Sequence, residues 1–212
     1  NFNITIMKNI LAFGASSSAN SINKTFANYS SKQIPNSKTN LLDLNDFEMP
    51  IFSIDKQKAN GIPEAAIDFK KHISNSDAII ISFAEHNGSY TSAFKNILDW
   101  TSRIERIVWC GKPMLLLSAS DGERGAKLVL DTAFNRIKRE NSDTLFKFSL
   151  KNFHSTFDME KGILPTMLSM YVRKNIIRIW HNGNRCLNNR RTKISLKYTN
   201  HSSGLSHSVL YC

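Results

Sequence analysis

Three short and almost uninterrupted apolar runs, at Lys8–Phe13, Ala78–Phe83 and Pro113–Ser118, set the strongest limit on what this chain can fold into. Each has the length of a strand, and none shows the polar alternation of a strand with one wet face. Runs of this kind are buried on both sides, which requires helices above and below a sheet. Helical signals fall between them. They cover Ile22–Ser31, Ile62–Ile73 with Pro63 in its first turn, Thr91–Ile104 with Phe94, Ile97 and Leu98 on one face, and Ala126–Lys138. Thr39–Leu44 and Leu145–Leu150 read as two more strands, and Asn45–Asp55 as an irregular segment.

Strand and helix in alternation predict an α/β fold with a mostly parallel sheet and right-handed crossovers. Five strands suit the flavodoxin-like doubly wound order 2-1-3-4-5. In that order a ligand sits beyond the carboxyl ends of the strands, at the switch point between strands 1 and 3.

Charge and composition narrow the partners. The net charge is +11, but residues 1–160 carry 19 basic and 17 acidic side chains, whereas residues 161–212 carry 9 basic and no acidic ones. The basic character belongs to the tail, so no nucleic-acid partner is expected for the main domain. No apolar run approaches the length of a membrane span, and no membrane partner is expected. Residues 1–6 lack the features of an export signal and read as a disordered extension before Met7. Three irregularly spaced cysteines do not form a disulfide framework, and the six histidines show no metal-ligand spacing. A cytoplasmic protein without a metal is the expectation.

Three loops carry the chemistry. The first, after strand 1, places four Ser and two Asn in residues 16–23 just before a helix. Hydroxyls, amides and the helix's unpaired N–H groups suit a phosphate monoester, while Ser21 or Asn23 equally suits a plain N-cap. The sequence is neither a Walker A loop nor Gly-x-Gly-x-x-Gly. The second loop, Ala84–Tyr90, contains Asn87-Gly88, which permits positive φ and close approach of backbone to a ligand. The third, Ser118–Gly125, gathers two serines and two glycines. In the expected sheet order all three converge on one crevice.

At these residues the chain resembles the NADPH-dependent FMN reductase family, which includes quinone, azo-dye and chromate reductases. The first loop is similar to the family's Gly-Ser-x-Arg-x-x-Ser-x-Asn over Ala15–Asn23. The second matches Pro-Glu-Tyr-Asn-Gly-Ser at Ala84–Ser89, followed by Phe94-Lys95-Asn96-Ile97-Leu98-Asp99-Trp100 in place of a Leu-Lys-Asn-x-Ile-Asp-Trp helix. The third matches at Gly111-Lys112-Pro113 and Ser118-Ala119-Ser120-Asp121-Gly122. The resemblance covers residues 8–164. It implies FMN as cofactor, NADPH or NADH as electron donor, a small-molecule acceptor such as a quinone or flavin, and a homodimer or homotetramer.

Carried over by residue, Ser16, Ser18, Ser21 and Asn23 go to the FMN phosphate. Glu85, His86, Asn87 and Gly88 go to the ribityl chain and ring, with Ser118, Ser120 and Gly122 on the other side. No side chain is implied as nucleophile, since flavin N5 carries the chemistry. Ser18 stands where the family has an arginine, His86 where it has a tyrosine, Ala84 and Asp121 where it has prolines. A flavodoxin-type electron carrier is the rival reading, although the threonine-rich phosphate loop and acidic face of such carriers are missing. Trp100, Ile104, Ile107 and Trp109 suit either an oligomer interface or the core. The domain is expected to span 7–164. The 165–212 tail departs from the family pattern and reads as partly helical, disordered or out of frame.

Overall fold

The computed structural model describes residues 7–141, 144–158, 160–163 and 174. The expected extension 1–6 and, apart from Lys174, the 165–212 tail lie outside the described residues.

The apolar runs become the centre of a five-stranded parallel sheet: β1 (Lys8–Ala15), β2 (Ser37–Leu42), β3 (Ala78–Phe83), β4 (Met114–Ala119) and β5 (Leu145–Leu150). Their order is β2-β1-β3-β4-β5, as the sequence predicts. Every residue of β3 and β4 is buried. Their alternate side chains enter two separate cores. Phe13, Ile79, Ile81 and Leu116 meet the helices α3 (Glu64–Ser74), α4 (Ser92–Ile104) and α5 (Lys127–Lys138) on one face. Ile10, Ile80, Leu115 and Leu117 meet α1 (Ile22–Lys32) on the other.

That second core is closed by aromatic residues that carried no periodic signal. A short helix α6 (Phe153–Thr156) leads into a hairpin of β6 (Phe157–Asp158) and β7 (Gly162–Ile163). Phe157 packs edge-on against Phe26 and Tyr29 of α1 and stacks on Phe153 at 4.8 Å. The second strand begins and ends two residues earlier than Thr39–Leu44, because Asp43 caps a 3-10 turn at Leu44–Phe47 through its carboxylate. The segment expected to be irregular also ends in helix α2 (Ile54–Asn60), which buries no residue and so left no apolar stripe to read. Pro63 caps α3 from outside its first turn.

At the amino edge of the sheet two buried lysines tie backbone together. Lys70 Nζ donates to Val108 O at 2.7 Å and pairs with Glu105, and Lys112 Nζ donates to Ser74 O and Ser76 O. Lys112, from the Gly-Lys-Pro motif, is thus a carbonyl anchor at the rim opposite the polar loops. Trp100 and Trp109 are core residues, while Ile107 is partly exposed. Among the described residues no helix is long and apolar enough to cross a membrane, and no group of side chains is arranged to hold a metal.

Candidate functional site

The three polar loops emerge together at the carboxyl edge of β1, β3 and β4, and hydrogen bonds lock them to one another. Thr91, the N-cap of α4, donates its hydroxyl to Ala15 O at 3.0 Å and joins the second loop to the first. Glu85 Oε2 accepts from the Val129 N–H at 3.0 Å, joining the second loop to the start of α5. Asn23 joins the first to the third. Its Oδ1 accepts from the Ala119 N–H and the Ser82 hydroxyl, and its Nδ2 donates to Ala119 O.

The first loop depends on Gly14. A Cβ there would fall 2.7 Å from Lys24 Cα and 2.9 Å from the Asn23 carbonyl carbon, so only glycine lets α1 sit this close to β1. Ser21 is the N-cap, accepting from the Lys24 N–H at 3.3 Å. Ser16 is buried and accepts from the Ser18 N–H at 3.1 Å, and Ser18 itself is exposed. As acceptors, the Ser16 and Ser21 hydroxyls keep their own protons for a ligand. Lys24 is ion-paired with Asp43. That hydrogen bond, helped by the Asn45 N–H, holds the Asp43 carboxyl below its ordinary range.

The second loop is a tight turn in which the His86 and Ser89 backbones exchange two 3.0 Å bonds. Asn87 and Gly88 between them have φ of 52° and 74°, the left-handed pair that a type I′ turn requires. His86, Asn87 and Gly88 are exposed at its tip. Tyr90 packs against Phe83 and Phe94, and burial pushes its phenol up to about 12 despite Arg136, so it stays protonated at neutral pH. In the third loop the Ser118 hydroxyl is fully buried and donates to Gly125 O at 2.7 Å. The Ser120 hydroxyl reaches Gly122 O, which also accepts from the Gly125 and Asn152 N–H groups.

The donor set suits a flavin nucleotide. Hydroxyls and the first-turn N–H groups of α1 lie at one end of the crevice, and the exposed Asn87-Gly88 turn lies at the other. The model for the NADPH-dependent FMN reductase family matches residues 8–138. The chain belongs to that family. The family is described as NADPH-dependent and as acting with FMN.

Within the family, the chain is 35% identical over 82 residues to a 2-hydroxy-1,4-benzoquinone reductase of Burkholderia sp, covering 38% of this chain and 44% of that protein. It is 31% identical over 78 residues to a quinone reductase of Escherichia coli K12, covering 37% and 42%. The chain therefore matches less than half the length of these relatives. The flavoenzyme NAD(P)H:(acceptor) oxidoreductase of Paracoccus denitrificans superposes with a TM-score of 0.67 at 21% identity, covering 84% of this chain and 98% of that one. An azoreductase of Bacillus anthracis gives 0.53 at 14% identity, with 84% and 100% covered. Both share the fold.

Sequence reading missed what the family's Lys-Asn-x-x-Asp-Trp helix does here. Asn96 accepts from the Phe52 N–H and donates to Met49 O and Pro50 O, and Trp100 Nε1 donates to Pro50 O at 2.7 Å. These bonds clamp the 49–52 segment to α4. Beside the clamp, and against Ser17 of the first loop, opens a cleft of about 500 Å³ lined by Phe47, Met49, Ile51, Ala93 and Ile97.

Proposed function

We propose that this chain is an NAD(P)H-dependent oxidoreductase that uses FMN to pass hydride from a reduced nicotinamide to a quinone, a flavin or a similar acceptor. The observation that carries it is the bonding of three polar loops around one crevice in a member of this family. When bound, FMN supplies the hydride chemistry, and the protein contributes orientation and electrostatics.

The eleven candidate residues divide into two roles. Ser16, Ser18 and Ser21 offer hydroxyl donors to the phosphate end, and His86, Asn87 and Gly88 face the ribityl chain and ring. Asn23, Glu85, Ser118, Ser120 and Gly122 position the loops, since each already has a polar atom bonded to neighbouring backbone. Exposed backbone N–H groups of the Asn87–Gly88 turn oppose negative charge on the ring, and no side chain is asked to act as a nucleophile.

An anaerobic titration tests the reading. Protein with FMN should lose its 450-nm-region absorbance on adding NADPH or NADH and regain it on adding a quinone. A flavin that binds yet never bleaches would make the chain an electron carrier instead.

The unit that does this is residues 7–164, with 165–212 as an appended basic tail, because the hairpin ending at Ile163 completes the core over α1. A cytoplasmic setting fits a consumer of reduced nicotinamide. The chain is also expected to form a homodimer or a homotetramer. Support comes from Ile51, 78% exposed on the clamped segment beside the cleft, and from Ile54, 56% exposed at the start of α2. Ile51→Asp should lower the mass measured by light scattering to that of a single chain, and an unchanged mass would remove this surface as the contact.

A further inference from the structure

We infer that the phosphate is a minor determinant of flavin binding in this chain, so that riboflavin and FMN are bound with similar affinity. This rests on the flavin reading above and concerns how the ligand is selected.

A phosphate monoester is held most strongly by charge-assisted bonds, above all from the planar fork of an arginine. Residues 15–23, the loop that would receive it, contain no lysine or arginine. Ser18 stands at the position of the family's arginine, exposed, with its N–H already given to Ser16 Oγ. The next cation along the chain, Lys24, is engaged by Asp43, whose other carboxylate oxygen takes the Asn45 N–H at 3.0 Å and Asn45 Nδ2 at 2.8 Å. That carboxylate is built into the 3-10 turn as its cap, so releasing Lys24 would leave a fixed negative charge beside the loop.

The third loop does not make up the deficit. It carries two exposed carboxylates, Asp121 and Glu123. Glu123 bonds Lys151 and Asn152, and Asp121 lies 3.4 Å from His154, so both are paired with the 151–154 segment that follows β5. Arg124 is the only arginine in that loop. What the first loop offers the phosphate is a set of neutral hydroxyls and N–H groups with the partial charge of a helix start, without the full positive charge and paired bonds that a guanidinium would add. The other end of the crevice is built in full, with the type I′ turn fixed by two backbone bonds. Selectivity therefore lies with the ring and ribityl chain, which riboflavin shares with FMN.

Titrating the full chain with FMN and with riboflavin, read by quenching of flavin fluorescence and without any nicotinamide, tests this. The two dissociation constants should agree within about tenfold, the equivalent of about 1.4 kcal/mol. Ser18→Arg should tighten FMN by about tenfold or more and leave riboflavin unchanged, since only FMN offers the new guanidinium a partner. FMN binding more than about a hundredfold tighter than riboflavin would overturn the inference while leaving the flavin reading intact. Lys24→Gln or Arg124→Gln weakening FMN but not riboflavin would overturn it too, by revealing the hidden cation. Failure of both flavins to bind would remove the flavin reading and this inference together.

Discussion

Alanine at position 14 should destabilise the protein by about 3 kcal/mol, the upper range for forcing an extra carbon into a packed site. The added Cβ would meet backbone atoms of Asn23 and Lys24, and backbone cannot rotate away as a side chain can. Helix α1 would have to lift from β1, taking with it the first loop and the Asn23 bonds to Ala119 and Ser82. The expected result is a lower urea midpoint with an unchanged slope, together with a loss of flavin affinity larger than the stability loss alone would cause. A variant as stable as the parent would mean that α1 can shift without cost.

Asn23→Leu should be at least as damaging, for a different reason. Asn23 is 3% exposed and takes part in three hydrogen bonds with Ser82 and Ala119. Leucine fills a similar space and leaves the Ala119 N–H, the Ala119 carbonyl and the Ser82 hydroxyl without partners. Each orphaned group costs about 1–3 kcal/mol, so a loss of about 3 kcal/mol or more is expected. The comparison is Asn20→Leu, an exposed position in the same loop, which should leave the urea midpoint unchanged. Equal midpoints for the two variants would show that Asn23 does not hold the first and third loops together.

Much of this architecture was legible before any coordinates because burial on both faces leaves an unmixed signature. Ala78–Phe83 appears as a strand with the same ends in sequence and structure, since a polar Asp77 and a turn bound a run of isoleucines. Elements whose burial is not periodic were harder to read. Helix α2 buries nothing, and Leu44 looked like the end of a strand although it belongs to a turn capped by the preceding aspartate. The hairpin after β5 is held by aromatic contacts with α1, more than a hundred residues away in sequence, which no local pattern encodes.

The site shows the same division. The small and polar residues that make each loop suitable are local and visible. The bonds that bring the loops together span separations of 76, 44 and 96 residues, from Thr91 to Ala15, Glu85 to Val129 and Asn23 to Ala119. Residue type and the family resemblance mark Asn23, Glu85 and Ser118 as polar loop residues. Only the fold shows that their polar atoms are turned toward the protein.

The buried ammonium groups of Lys70 and Lys112 give the sheet two unlike ends. One end is sealed by buried lysine amino groups bound to carbonyls, where almost any change would leave a buried polar group without partners. At the other, serines and turn residues can be exchanged one at a time with the foundation undisturbed. A descendant of this chain is free to acquire a new taste in ligands along one rim, while the opposite rim has little room to drift.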